Sequence, residues 1–175
     1  MFQIGEVVIH KHDVCKVVDI IKDYRPGEDY YKLVPLEDES LTIRTPVANK
    51  LGLMRPIMSK DEARELINKI PSISIIDLET KSLGNEYKKL LSQGTHEDLI
   101  RIIKTAHVRQ SAKLKLNQKV NEQDKIFFRL AEKTLYSEVA VALDMPFDQA
   151  RQFIIDQVTE LIEPTESTNL AAQPA

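Results

Sequence analysis

The hydrophobic period of the chain changes once, near residue 58, and this limits what it can fold into. Ahead of that point, β-branched and aromatic residues cluster in the short runs EVVIH, VCKVVDII, YYKLVPL and SLTIRT. The turn formers His12-Asp13, Arg25-Pro26-Gly27-Glu28 and Glu37-Asp38-Glu39 separate them. Such spacing predicts an antiparallel meander of four or five strands. A sheet that small must close or be covered to hide its edges. The expectation for residues 1–57 is therefore a small barrel-like module.

Beyond that point the period is helical. Ser59 and Glu62 make a capping box ahead of the stripe Ala63, Leu66, Ile67 and Ile70, and Pro71 stops it. SISIIDLETKSLG reads equally as an extended linker or a short irregular helix, and Asn85 to Leu91 as a short helix. Thr95 with Asp98 starts another, with Leu99, Ile102, Ile103 and Ala106 on one face. Asn121 caps a longer one over Glu122 to Leu143, and a last helix starts at Asp144-Pro146 and ends near Ile162. The predicted class is α+β, with a helical bundle over residues 58–163 and a disordered tail over 164–175, which lacks an apolar stripe. The glycines Gly5, Gly27, Gly52, Gly84 and Gly94 are dispersed and suit turns and caps.

Charge is unevenly placed. The net charge is -3, yet residues 99–121 hold six bases, Arg101, Lys104, Arg109, Lys113, Lys115 and Lys119, and no acid. Residues 122–175 hold ten acids and four bases. A base-only segment can engage phosphates with salt-dependent affinity. It can equally pair with the acidic helices that follow, or meet an acidic protein partner, and these readings stay open.

Catalytic constellations are not visible. There is no Gly-rich phosphate loop, no nucleophile beside a general base, and no His pair with metal spacing. Cys15 is the single cysteine and reads as a packed strand thiol. MFQIGEVV is not a signal peptide, and no apolar run is long enough to span a membrane. A cytoplasmic, monomeric binding or regulatory module without a cofactor is expected, not an enzyme.

The stretch LTIRTPVANKLGLMRPI ends a strand against a proline. Pro46 lacks an amide donor and biases Thr45 toward extended geometry, which suits an edge strand. Arg44 then points away from the side taken by Ile43. An exposed arginine on an open edge offers a donor fork to a carboxylate, and the edge itself can accept a partner strand.

Three stretches together resemble the CarD/CdnL family of bacterial transcription regulators: MFQIGEVVIHKHDVCKVVDI, LTIRTPVANKLGLMRPIMSKDEARELI and the helical run from NEYKKLLSQGTHEDLIRIIKTAHVRQ to VALDMP. The resemblance covers roughly residues 1 to 162. It implies an N-terminal Tudor-like domain, shared with the transcription-repair coupling factor, that binds the β subunit of RNA polymerase. It also implies a helical domain that contacts promoter DNA and modulates open-complex stability. By position, the polymerase contacts would be Arg44, Thr45 and Pro46, with Tyr24 and Arg25. The DNA contacts would be Lys81, Lys88, Lys89, Arg101 and Lys104. The family's exposed tryptophan would fall near Thr80 or Lys81, but this chain has no tryptophan, and Tyr87 is the nearest ring. The alternative is a polymerase-associated protein adaptor with little or no DNA binding.

Overall fold

The computed structural model describes residues 1–171, with side chains through 161; residues 172–175 and side chains from 162 onward lie outside it. Of the disordered tail expected over 164–175, the backbone of 164–171 continues the last helix past the expected end near Ile162, and 172–175 lie outside the described residues. The chain divides into two compact units, Met1–Met58 and Ser59–Ala175.

The first unit is a five-stranded antiparallel sheet: β1 (Val7–His10), β2 (Asp13–Arg25), β3 (Glu28–Pro35), β4 (Ile43–Pro46) and β5 (Met54–Pro56), in the order β4-β3-β2-β1-β5. The sheet is open, which overturns the expected barrel-like, Tudor-like closure: β4 and β5 are its two edges and do not pair. Both edge strands are short and end in proline, whose missing amide stops each strand at that residue. The chain between them is held by one side chain instead. Asn49 Nδ2 donates to the Met54 carbonyl at 2.9 Å and Asn49 Oδ1 accepts the Met54 amide at 3.1 Å. Asn49 itself sits at φ 46° and Gly52 at φ 62°, the left-handed geometry that such a turn requires.

One face of the sheet carries the core, Val8, Cys15, Val17, Tyr31, Leu33 and Met54. Phe2, Ile20, Ile43 and Val47 pack against it, so the N-terminal segment and the loop after β4 cover the face that closure would have hidden. The Phe2 amide donates to the Tyr31 hydroxyl at 2.8 Å, which pins that cover. A bulge at Val18 keeps the pattern in phase. Register passes from Val17 opposite Leu33 to Asp19 opposite Lys32, so Ile20 regains the core side opposite Tyr31.

The second unit is helical: α1 (Lys60–Lys69), a single 3-10 turn (Ile70–Ser72), α2 (Thr80–Gln93), α3 (His96–Lys115), α4 (Glu122–Ala142) and α5 (Phe147–Ala171). Ser59 and Glu62 form a reciprocal capping box, and Thr95 and Asn121 cap α3 and α4. The ambiguous stretch resolves into the 3-10 turn, an extended segment and then helix. Ile76 is buried and its amide donates to Thr105 Oγ1 at 2.9 Å, fixing the segment on α3. α2 begins five residues before the predicted Asn85 and contains Gly84, which is therefore not a turn glycine. A Cβ there would meet the tip of the Gln123 side chain at 2.8 Å, so Gly84 leaves room for that carboxamide. α3 packs chiefly on α4, and α5 on α4 and α1. No helix among the described residues is long and apolar enough to cross a membrane.

Candidate functional site

β4 pairs with β3 on one side only, so its outer side is a free sheet edge. Within it the side chains alternate. Ile43 and Thr45 turn to the core side, Thr45 being buried opposite Tyr31. Arg44 turns outward opposite Lys32, and Pro46 lies opposite Tyr30 on that same outer face.

A second irregularity in β2 brings more groups to this face. Between the pairs Ile21–Tyr30 and Arg25–Glu28, β2 carries three residues against the single Asp29. Asp23 adopts φ 49°, and the Asp29 carboxylate holds the distortion: it accepts Lys22 Nζ at 2.7 Å and the Asp23 amide at 3.0 Å. Those two bonds, the lysine first, hold the Asp29 carboxyl below its ordinary pKa. The bulge re-aims Tyr24 onto the outer face, where its ring centroid lies 4.9 Å from that of Tyr30 at a 50° tilt.

Guanidinium groups flank the two rings. Arg44 Cζ lies 5.7 Å from the Tyr24 centroid, and Arg25 Cζ lies 5.7 Å from the Tyr30 centroid. The order is Arg44, Tyr24, Tyr30, Arg25. Each cation–ring contact is worth about 0.5–1 kcal/mol at an exposed site, and the ring pair about as much. The chemical consequence is orientation. Two long cationic side chains are partly ordered with their donors free to face outward, which lowers the entropy lost on binding an anion.

Tyr24, Arg25 and Arg44, named from separate parts of the sequence, are thus brought into one row, with Pro46 beside it. Thr45 is at the same strand but faces inward. Tyr30 and Asp29 were not among the expected site residues. The signal for them was the excess length of β2 against β3, visible only once strands are paired. A pocket of about 310 Å³ opens next to the row, lined by Arg25, Tyr30, Pro46, Ala48, Leu51 and Leu53 among others.

The expected DNA contacts are placed differently. Lys88 is exposed on α2; Lys81 and Lys89 are exposed and pair with Glu79 at 3.1 Å and Glu86 at 3.9 Å. Arg101 is half-buried, and its Nε is enclosed without a hydrogen-bond partner among the described residues. Lys104 turns inward. Its Nζ donates to the carbonyls of Ile70, Pro71 and Ile73 at 2.8, 3.3 and 2.5 Å, and burial lowers its pKa. Its charge therefore serves the carbonyl end of α1 and the turn after it.

Arg109 also turns inward, to Asp124, with its Nη2 on Thr80 Oγ1 at 3.3 Å. Tyr87 donates to the same carboxylate at 2.9 Å and is fully buried against Phe127, so its ring does not replace an exposed tryptophan near Thr80 or Lys81. Burial and Asp124 push the Tyr87 hydroxyl pKa upward. Lys113 and Lys119 are exposed and border a broad basin of about 760 Å³ with Arg109 at its side.

Among the described residues no group of three or more His, Cys, Asp or Glu could hold a metal ion. Cys15 is buried in the sheet, and burial raises its thiol to about 11.

The fold is α+β, an open five-stranded antiparallel sheet followed by a helical bundle. No protein-family model matches the chain, and no curated protein matches it.

Proposed function

We propose that the protein is a cytoplasmic transcription regulator that binds the β subunit of RNA polymerase through the β4 edge of its sheet unit. It acts by binding rather than by catalysis, as a monomer and without a cofactor. The observation that carries this reading is the row Arg44, Tyr24, Tyr30, Arg25. Three of its members are the residues at which the CarD/CdnL resemblance implies polymerase contacts, and they meet beside a free strand edge. Backbone pairing along β4 supplies affinity, and the ordered guanidinium of Arg44 supplies recognition of a carboxylate.

On promoters the helical unit then biases the polymerase toward the open complex. A factor that holds the open complex more tightly than the closed one shifts the population by that difference and no more. Cations exposed for phosphate contact include Lys81, Lys88, Lys89, Lys113, Lys115 and Lys119. A second reading, an adaptor with little DNA contact, is favoured by the engagement of Lys104 and Arg109 within the fold and by the burial of Tyr87. Capture of purified RNA polymerase by wild type and by Arg44→Glu tests the docking. The salt dependence of promoter-complex binding by charge-reversed α2 lysines separates the two readings.

A further inference from the structure

The helical unit holds a cavity of about 320 Å³ between α3, α4 and α5. Its walls are mainly apolar, with Ile103 from α3, Phe128 and Leu135 from α4, and Ile154 and Val158 from α5. The volume lies at the lower end of the range for small-molecule sites, about 300–1,000 Å³. Walls of this kind hold water poorly, because an enclosed water needs several polar partners.

One polar group on the wall has no use within the fold. Tyr136 is 7% exposed and lines the cavity, and its ring lies 6.4 Å from that of Phe147. No hydrogen bond to its hydroxyl is found among the described residues. Buried hydroxyls are nearly always bonded, and the buried Tyr87 hydroxyl, on α2, does donate to Asp124. Burial, with Glu132 adding to it, pushes the Tyr136 hydroxyl up to about 12, so it stays a proton donor at neutral pH. Arg151 also lines the cavity and lies near enough to oppose that rise. Its Nε donates to Glu132 Oε1 at 2.8 Å, and no bond to its two Nη groups is found among the described residues. The outer edge of the guanidinium can therefore meet a second carboxylate.

We propose that this cavity binds a medium-chain aliphatic carboxylate, whose head accepts from the Tyr136 hydroxyl and the outer edge of Arg151 and whose chain lies among Ile103, Phe128 and Val158. The site belongs to the helical unit and does not depend on the reading of β4. Charge selects this head group. Lys104 and Arg151 line the cavity against one acid, Glu132, which Arg151 already partners. Lys104 rests on backbone carbonyls, so its charge is not cancelled by a carboxylate. An amine head would meet two cations. An alcohol would serve Tyr136 and leave Arg151 unserved. A carboxylate supplies acceptors to both, through charge-assisted bonds, and burial of the chain against the apolar walls adds affinity.

The test uses the full chain and decanoate, titrated calorimetrically below its micelle concentration, with decanol and decylammonium as comparisons. The expected result is saturable binding of one decanoate per chain, with a melting temperature that rises with its concentration. Decanol binds about tenfold more weakly, and decylammonium does not saturate. Tyr136→Phe leaves the melting temperature of the ligand-free protein unchanged or higher, because its hydroxyl has no partner to lose, and weakens decanoate about tenfold. Val158→Trp, which fills the cavity, abolishes binding. Absence of saturable decanoate binding overturns the proposal. Equal affinity for decanoate and decylammonium overturns it as well, and so does decanoate affinity unchanged by Tyr136→Phe.

Discussion

Arg109 and Asp124 join α3 to α4, with the guanidinium Nε 3.0 Å from one carboxylate oxygen and 3.2 Å from the other. The Asp124 side chain is only 3% exposed and also accepts the Tyr87 hydroxyl. Removing the cation leaves a buried charge with one remaining donor. Arg109→Met is expected to destabilise the helical unit by about 3 kcal/mol. Denaturant unfolding followed by far-ultraviolet circular dichroism checks this, and an unchanged midpoint would show that the pair is not structural.

Lys104 is expected to behave as a capping residue and not as a phosphate contact. Lys104→Met should lower stability by about 1 kcal/mol, through loss of its bonds to the carbonyls after α1. The slope of promoter-complex affinity against salt should stay the same, because that slope counts only cations that release counterions. Lys88→Glu, on the exposed face of α2, should flatten it if the helical unit meets DNA.

These two basic residues show where reading a sequence runs out. Helix starts at Ser59, Thr95 and Asn121 were legible because a cap is a contact between residues two or three apart. The partners of Lys104 are 31 to 34 residues distant and those of Arg109 are 15 and 29, so nothing local reveals them. The same holds for the sheet. Its strands could be read from short runs and turns, but closure depends on whether β4 meets β5, and a barrel was expected where Asn49 holds an open sheet instead. Arg44 as an outward residue on an edge strand followed from alternation and Pro46. The tyrosines beneath it did not, because Tyr24 reaches Tyr30 only through a bulge.

That bulge should be sensitive to acid. The Asp29 carboxyl is held below its ordinary value by Lys22 and by the Asp23 amide, so its folded pKa lies under the unfolded one. The stabilisation is therefore complete above the usual aspartate range and is lost as pH falls through the depressed value. The Asp23 amide resonance is expected to shift below about pH 4. Asp29→Asn should remove this titration, and persistence of the shift in that variant would assign it to another group.

Cys15 should be inert in the native state. Its thiol is buried and pushed up to about 11, so it stays protonated at neutral pH. A maleimide reagent is expected to label it only after unfolding, at a rate set by opening of the sheet. Rapid labelling of the folded protein would contradict the packing around β2.

The central claim is that Arg44 is the recognition group of a polymerase-docking edge. Its side chain is exposed and rests on the Tyr24 ring, so charge reversal should leave the fold intact. The most direct measurement is the affinity of purified RNA polymerase for wild type and for Arg44→Glu at equal melting temperature. The account predicts a loss of about tenfold or more, as expected for breaking a charge-assisted contact and opposing a like charge. Equal affinity for the two proteins would contradict it.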